Sequence, residues 1–293
     1  MRRPTPFIAI VLSLSIAAWA GRDAAAAIAL DDDAGRRVEL RQPAKRIVTL
    51  APFLTELVFS AGAGERLVGV SAYSDHPPEA KRLPRVATAA TFSLEEVAAL
   101  RPDLVLAWRD SVRAEDLQRL EMLGIRTFVA QPKRLDDVAR LLEGIGALTA
   151  RDVSVPIARY RGRLAALRAR HADRTPVPVF LEVWHNPLQT VAGRHWINEA
   201  LELCGARNAF ADLDGVAPLV SWEEVYRRDP PVVVGVSSRD GEAQFLANWR
   251  LRPTLSAVKA GRLLFVDADT LARPTLRLAD GVAQLCAGID RAR

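Results

Sequence analysis

The sequence lacks the short motifs that mark common enzymes. It has no Gly-rich phosphate loop, no nucleophile elbow and no His-Glu-x-x-His. Its four histidines (His76, His171, His185 and His195) do not have metal-ligand spacing. No catalytic residue, cofactor or resident metal is therefore expected. Charge of one sign is also not concentrated. The net charge of +5 comes mostly from scattered arginines, so nucleic-acid binding is not expected. Beyond the first twenty or so residues no apolar run is long enough to span a bilayer. With 49% hydrophobic and 26% charged residues, the 293-residue composition is that of a globular protein large enough for two domains.

What is present begins with a targeting pattern. Arg2 and Arg3 precede an apolar run from Phe7 to Ala20, and small residues follow up to Ala27. Residues 1–27 read as a cleaved signal peptide, and cleavage there removes Arg2, Arg3, Arg22 and Asp23, lowering the charge to +3. No cysteine lies near this region, which argues against a lipid anchor. An exported, soluble protein is expected. The only cysteines, Cys204 and Cys286, are read as one disulfide or as two buried thiols. A bridge closing that loop would stabilise the fold by roughly 3–5 kcal/mol.

The middle of the chain carries one long helix pattern, Ser154 to His171. Ile157, Tyr160, Leu164 and Leu167 form an apolar face, and arginines at 159, 161, 163, 168 and 170 keep the other faces in water. Pro156 suits a first turn, and Pro176 ends the pattern. On either side, short β-branched runs alternate with helical stretches, the pattern of a parallel sheet covered by helices. The division expected is an N-terminal α/β lobe at 44–150, an interlobe helix at 151–174 and a C-terminal α/β lobe at 175–293.

The two halves also repeat each other. Ser93-Leu-Glu-Glu-Val-Ala-Ala-Leu-Arg-Pro and Ser221-Trp-Glu-Glu-Val-Tyr-Arg-Arg-Asp-Pro share five of ten positions, each followed by a Val- and Leu-rich strand. Glu56 precedes Gly62-Ala63 by six residues, as Glu199 precedes Gly205-Ala206. Such self-similarity points to two lobes of one topology. Ser93 and Ser221 are N-caps, with Glu96 and Glu224 completing capping boxes. Glu95 and Glu223 have no such local task. They are read either as surface charges that complement helix dipoles or as a matched pair that docks on a basic partner.

Aromatic residues supply the remaining candidates. Tyr73, Phe92, Trp108 and Trp184 sit in loops after strands, the edge where open α/β sheets bind ligands. Trp196, Trp222 and Trp249 lie in helical patterns and are expected to pack in the core. His76 and His185 occupy corresponding loops, either bridged by a metal or simply beside prolines.

Taken together, Arg46-Ile-Val-Thr-Leu-Ala-Pro, Val68-Gly-Val-Ser-Ala-Tyr-Ser-Asp, Arg101-Pro-Asp-Leu-Val-Leu-Ala-Trp, Asn186-Pro and Leu201-Glu-Leu-Cys-Gly resemble the periplasmic cobalamin-binding proteins of ABC importers. These belong to a wider class of solute-binding proteins whose two lobes share one backbone helix and enclose a ligand cleft. The resemblance implies a monomer that captures cobalamin or a related corrinoid and delivers it to a permease dimer. It also implies that Glu95 and Glu223 pair with arginines of the two permease subunits, and that Cys204 and Cys286 are bridged. Tyr73, Trp108 and Asp269 match pocket positions of these proteins. Two of their pocket tryptophans are replaced here, by Ala89 and Ala217, and Phe92, Trp184 or Trp222 are candidates to fill that space. The alternative within the class is a haem or ferric-siderophore carrier. Haem would use Tyr73, His76 or His185 as axial ligand, and a siderophore would use cleft arginines such as Arg109, Arg194 and Arg273. A continuous interlobe helix further implies only a small change of interlobe angle on binding.

Overall fold

The computed structural model describes residues 27–88 and 91–293. The expected signal segment, save Ala27, and Ala89 lie outside the described residues. A hairpin comes first, β1 (Ile28–Asp31) antiparallel to β2 (Arg37–Leu40). The N-terminal lobe follows as β3 (Ile47–Thr49), α1 (Pro52–Ser60), β4 (Leu67–Ser71), β5 (Arg85–Ala87), α2 (Leu94–Ala99), β6 (Leu104–Trp108), α3 (Ala114–Met122), β7 (Arg126–Ala130) and α4 (Asp137–Thr149). Its five strands are parallel, in the order β5-β4-β3-β6-β7. The long helix α5 (Ser154–His171) then leads to the C-terminal lobe. There β8 (Val177–Glu182), α6 (Trp196–Leu203), β9 (Ala206–Asn208), α7 (Trp222–Arg228), β10 (Val232–Ser237), α8 (Glu242–Arg250), α9 (Ser256–Lys259), β11 (Leu263–Asp267), α10 (Ala268–Leu271) and α11 (Leu278–Arg291) complete the chain. Its four strands are again parallel, in the order β9-β8-β10-β11.

The lobes superimpose in topology. Strands β4-β3-β6-β7 correspond to β9-β8-β10-β11, with β5 as an addition, and α2 before β6 corresponds to α7 before β10. The sequence repeat falls on this last pair of units. Short elements with weak patterns, β1, β9, α9 and α10, are found only in the structure, and α4 begins two residues later than its pattern suggests.

Two sequence expectations are corrected by side-chain contacts. The capping boxes are half made: Ser93 Oγ and Ser221 Oγ accept from the N–H groups of Glu96 and Glu224, at 3.1 and 3.2 Å. The Ser93 N–H, however, donates to the Val86 carbonyl. The Glu224 carboxylate turns to Arg227 and Arg228, whose hydrogen bonds pull its pKa down to about 2. The basic faces of α5 are not simply solvated either. Arg161 pairs with Asp136 and Glu143, Arg163 with Asp280 and Arg168 with Glu199, so the helix is laced to both lobes.

The core explains how the lobes are joined. Ile157, Tyr160 and Leu164 of α5 are buried in one apolar cluster that runs through α1, α4, α6 and α11 and touches a face of each large sheet. The opposite faces carry separate clusters, Val48, Val97, Val105 and Leu120 in the first lobe and Phe180, Val233, Phe245 and Trp249 in the second. Within the shared cluster Tyr160 donates its hydroxyl to the Leu135 carbonyl at 2.7 Å. Cys204, just past α6, is disulfide-bonded to Cys286 of α11. This bridge ties helices of the second lobe together and leaves the lobe-to-lobe angle to packing. Among the described residues, no helix is long and apolar enough to cross a membrane.

Candidate ligand cleft

Parallel strands bring their C-terminal ends, and the loops that follow, to one edge of each sheet. Trp108 closes β6 there, and the segment from Gln131 to Lys133 follows β7. Together with Asp110 they form one wall of a cavity of about 680 Å3. The other wall comes from the second lobe: Ala192 to Trp196 at the start of α6, and Ala211 to Val216. The size is that of a small-molecule site, and its position between two lobes is where such sites occur.

Of the six residues expected to touch ligand, Trp108 lines this cavity. Its ring packs edge-on against Phe53 with centroids 5.9 Å apart, and its buried Nε1–H has no partner among the described residues. Arg273 lies beside the cavity residue Ala272 and joins Asp269 of its own lobe to Asp75 of the other, both at 2.9 Å. Burial acts to raise the Asp75 carboxyl, but the hydrogen bond and charge of Arg273 outweigh it and hold the group below its ordinary value. Trp184 is largely exposed and lines a second hollow of about 280 Å3, with Glu182, His185, Asn186, Ser237 and Asn248. Tyr73 is 69% exposed, on a left-handed backbone (φ 61°) that bulky residues rarely adopt. Phe92 packs instead against the outer cluster of the first lobe.

The remaining aromatics and histidines take these places. Trp249 and Trp196 are buried in core clusters as expected, and Trp196 also borders the cavity. Trp222 is half-buried, with the Arg252 guanidinium 3.3 Å over its ring. His185 is held by Glu182, Nδ1 to Oε2 at 3.3 Å, and among the described residues no group of three or more His, Cys, Asp or Glu could hold a metal ion.

The repeated acids Glu56 and Glu199 tie the lobes together, a role the sequence did not announce. Glu56 of α1 is buried and accepts two 2.7 Å hydrogen bonds from Arg277, which precedes α11. Glu199 of α6 accepts the Leu135 N–H at 2.8 Å and lies near Arg134 and Arg168. His195, the N-cap of α6, is another cavity residue missed; its position as helix start was readable, its use of Nδ1 as the cap acceptor was not.

Glu95 and Glu223 both stand exposed in the first turns of α2 and α7, one on each lobe at equivalent places in the topology. The Glu223 carboxyl is held below its ordinary range by its own backbone N–H and then by Ser221.

Residues 47–270 match the periplasmic binding protein family. The chain belongs to this family. Among curated relatives, the vitamin B12-binding protein of Vibrio cholerae is 37% identical over 246 residues, covering 83% of this chain and 88% of the relative. That of Photorhabdus laumondii is 33% identical, covering 82% and 86%. Among solved structures, the periplasmic vitamin B12 binding protein BtuF of Vibrio cholerae aligns with a TM-score of 0.78 at 37% identity, over 85% of this chain and 98% of that one. A periplasmic heme binding protein from Pseudomonas aeruginosa aligns with a TM-score of 0.70 at 28% identity, over 83% and 92%. Membership of this family of periplasmic binding proteins explains why a cavity lies between two lobes.

Proposed function

We propose that this periplasmic binding protein captures cobalamin or a related corrinoid in the interlobe cavity and delivers it to an inner-membrane ABC transporter. The observation that carries the reading is the 37% identity to a vitamin B12-binding protein across most of both chains, in a fold whose interlobe cavity is walled by Trp108 and Trp196. Aromatic faces bury the flat, apolar part of such a ligand, and a few hydrogen bonds fix its orientation. On this reading Trp108, Tyr73, Trp184, Asp269 and Arg273 contact the ligand, with Phe92 supporting from the adjacent cluster. The chain is exported through its N-terminal segment and acts as a monomer until it docks. Glu95 and Glu223, one per lobe, meet a basic group on each half of a permease dimer.

The haem reading has weaker support. The heme-binding relative is 28% identical, and His185, one of its expected axial ligands, is engaged by Glu182. The siderophore reading calls for several free cleft arginines, whereas Arg273 is committed to Asp75 and Asp269 and, of the other two candidates, Arg194 alone lines the cavity. Calorimetric titration of the purified protein with cyanocobalamin tests the proposal. Heat of binding at micromolar concentration is expected, and its absence overturns the corrinoid reading.

A further inference from the structure

The cavity contains a histidine whose tautomer is fixed by the fold. His195 is the N-cap of α6, and its Nδ1 accepts the Ile197 N–H at 3.2 Å. An N-cap is ordinarily Ser, Thr, Asp or Asn, whose oxygen accepts that bond and fills no cavity. The imidazole here does the same task with a lone pair and adds a large ring. That ring lies tilted against Trp196, centroids 3.8 Å apart, and the residue borders the interlobe cavity.

The consequence is chemical. Neutral imidazole has one donor nitrogen and one acceptor nitrogen. Because Nδ1 faces a backbone N–H, it must be the acceptor, and Nε2 therefore carries the proton. Nε2 has no hydrogen-bond partner among the described residues. Burial pushes the imidazolium down to about 4, so the ring is neutral across the ordinary pH range. A metal at Nε2 would require the proton to move to Nδ1, where two N–H groups would then face each other and the helix would lose its cap. Trp108, another cavity residue, keeps its Nε1–H buried without a partner among the described residues. At His195 the cavity thus offers an N–H group rather than a free metal ligand.

We propose that His195 is a specificity determinant of this cleft: it gives its Nε2–H to a neutral acceptor on the cargo, such as an amide carbonyl, and does not ligate a metal centre. This rests on the corrinoid reading, since a corrinoid carries amide side chains that accept such a bond, and it separates this cargo from haem within one fold.

The test uses the full chain, with cyanocobalamin and haemin as probes. His195→Ser keeps a helix cap but removes the ring, and is expected to weaken cyanocobalamin binding roughly tenfold while the melting temperature holds. His195→Asn caps through its side-chain oxygen and restores an N–H donor, so most of the affinity should return. Haemin added to the wild-type protein should give no imidazole-ligated iron spectrum that depends on His195. Wild-type affinity in His195→Ser overturns the proposal, as does failure of His195→Asn to recover affinity at unchanged stability. An imidazole-ligated haemin spectrum that disappears in His195→Ser also overturns it. Wild-type protein that binds no cyanocobalamin instead overturns the corrinoid reading itself, and this proposal with it.

Discussion

The two lobes share a topology, yet equivalent acids in them experience different surroundings. Glu56 on α1 and Glu199 on α6 each reach toward the segment that opens the last helix of the opposite lobe. Glu56 meets Arg277 in a two-pronged pair, with side-chain exposures of 5% and 25%. Glu199 is shared between a backbone N–H and two arginines whose side chains are more than half exposed. The repeat therefore supplied the position of each acid, while the neighbours decided its dielectric environment. One tie is a buried ion pair, which is costly to break from one side; the other is a part-buried acid whose arginine partners stay in water.

The paired acids Glu95 and Glu223 offer the sharpest way to use this symmetry. If Glu95 and Glu223 act as a pair, reversing both to Lys abolishes cobalamin uptake by cells, and reversing either one alone causes a large partial loss. Cyanocobalamin affinity of the purified double variant should stay within about threefold of wild type, because neither residue lines the cavity. A fall in affinity would place the pair in the pocket and remove them from docking.

Stability measurements probe the ties themselves. Glu56→Ala leaves the Arg277 guanidinium half-buried without its carboxylate and should cost about 3–5 kcal/mol in urea unfolding. Glu199→Ala should cost less, about 1–2 kcal/mol, since its arginines stay solvated while the Leu135 N–H loses its acceptor. Equal costs would show that the lobes are tied symmetrically after all.

A further effect is a pH dependence that arises in the second lobe. The His195 pKa is depressed in the folded state to about 4, against about 6.5 when unfolded. Below pH 6.5 the unfolded chain binds a proton that the folded ring refuses. Stability from this residue is therefore complete above that pH and declines as pH falls toward 4. Unfolding curves at pH 7 and pH 5 should differ less in His195→Ser than in wild type. The first lobe has no counterpart, because α1 begins at Ala51-Pro52 with no side-chain cap.

Much of the fold was legible in advance for identifiable reasons. Helix α5 appears with the bounds its pattern suggested, because three core contacts at helical spacing and Pro156 in its first turn reinforce one another. The repeated Ser-x-Glu-Glu units are strong because capping chemistry is local. By contrast β9 and α10 are three and four residues long, too short to carry a period, and exist because a neighbouring strand or helix holds them. The site was legible only in part. Trp108 could be placed from its position at a strand end and Arg194 was among the cleft arginines considered, whereas His195 and the segment from Ala211 to Val216 reach the same cavity from places far away in sequence.

The sequence by itself determined the alternation of strands and helices, the duplication, the joining helix and the two exposed acids. All of these depend on contacts within a few residues or on repetition that can be counted. Only the tertiary structure decided that the arginines of α5 pair with both lobes, that Glu56 and Glu199 form ties of unequal burial, and that His195 borders the cavity with its proton on Nε2. Those outcomes depend on which groups meet across long stretches of chain and on how much water remains between them, and no local pattern encodes either.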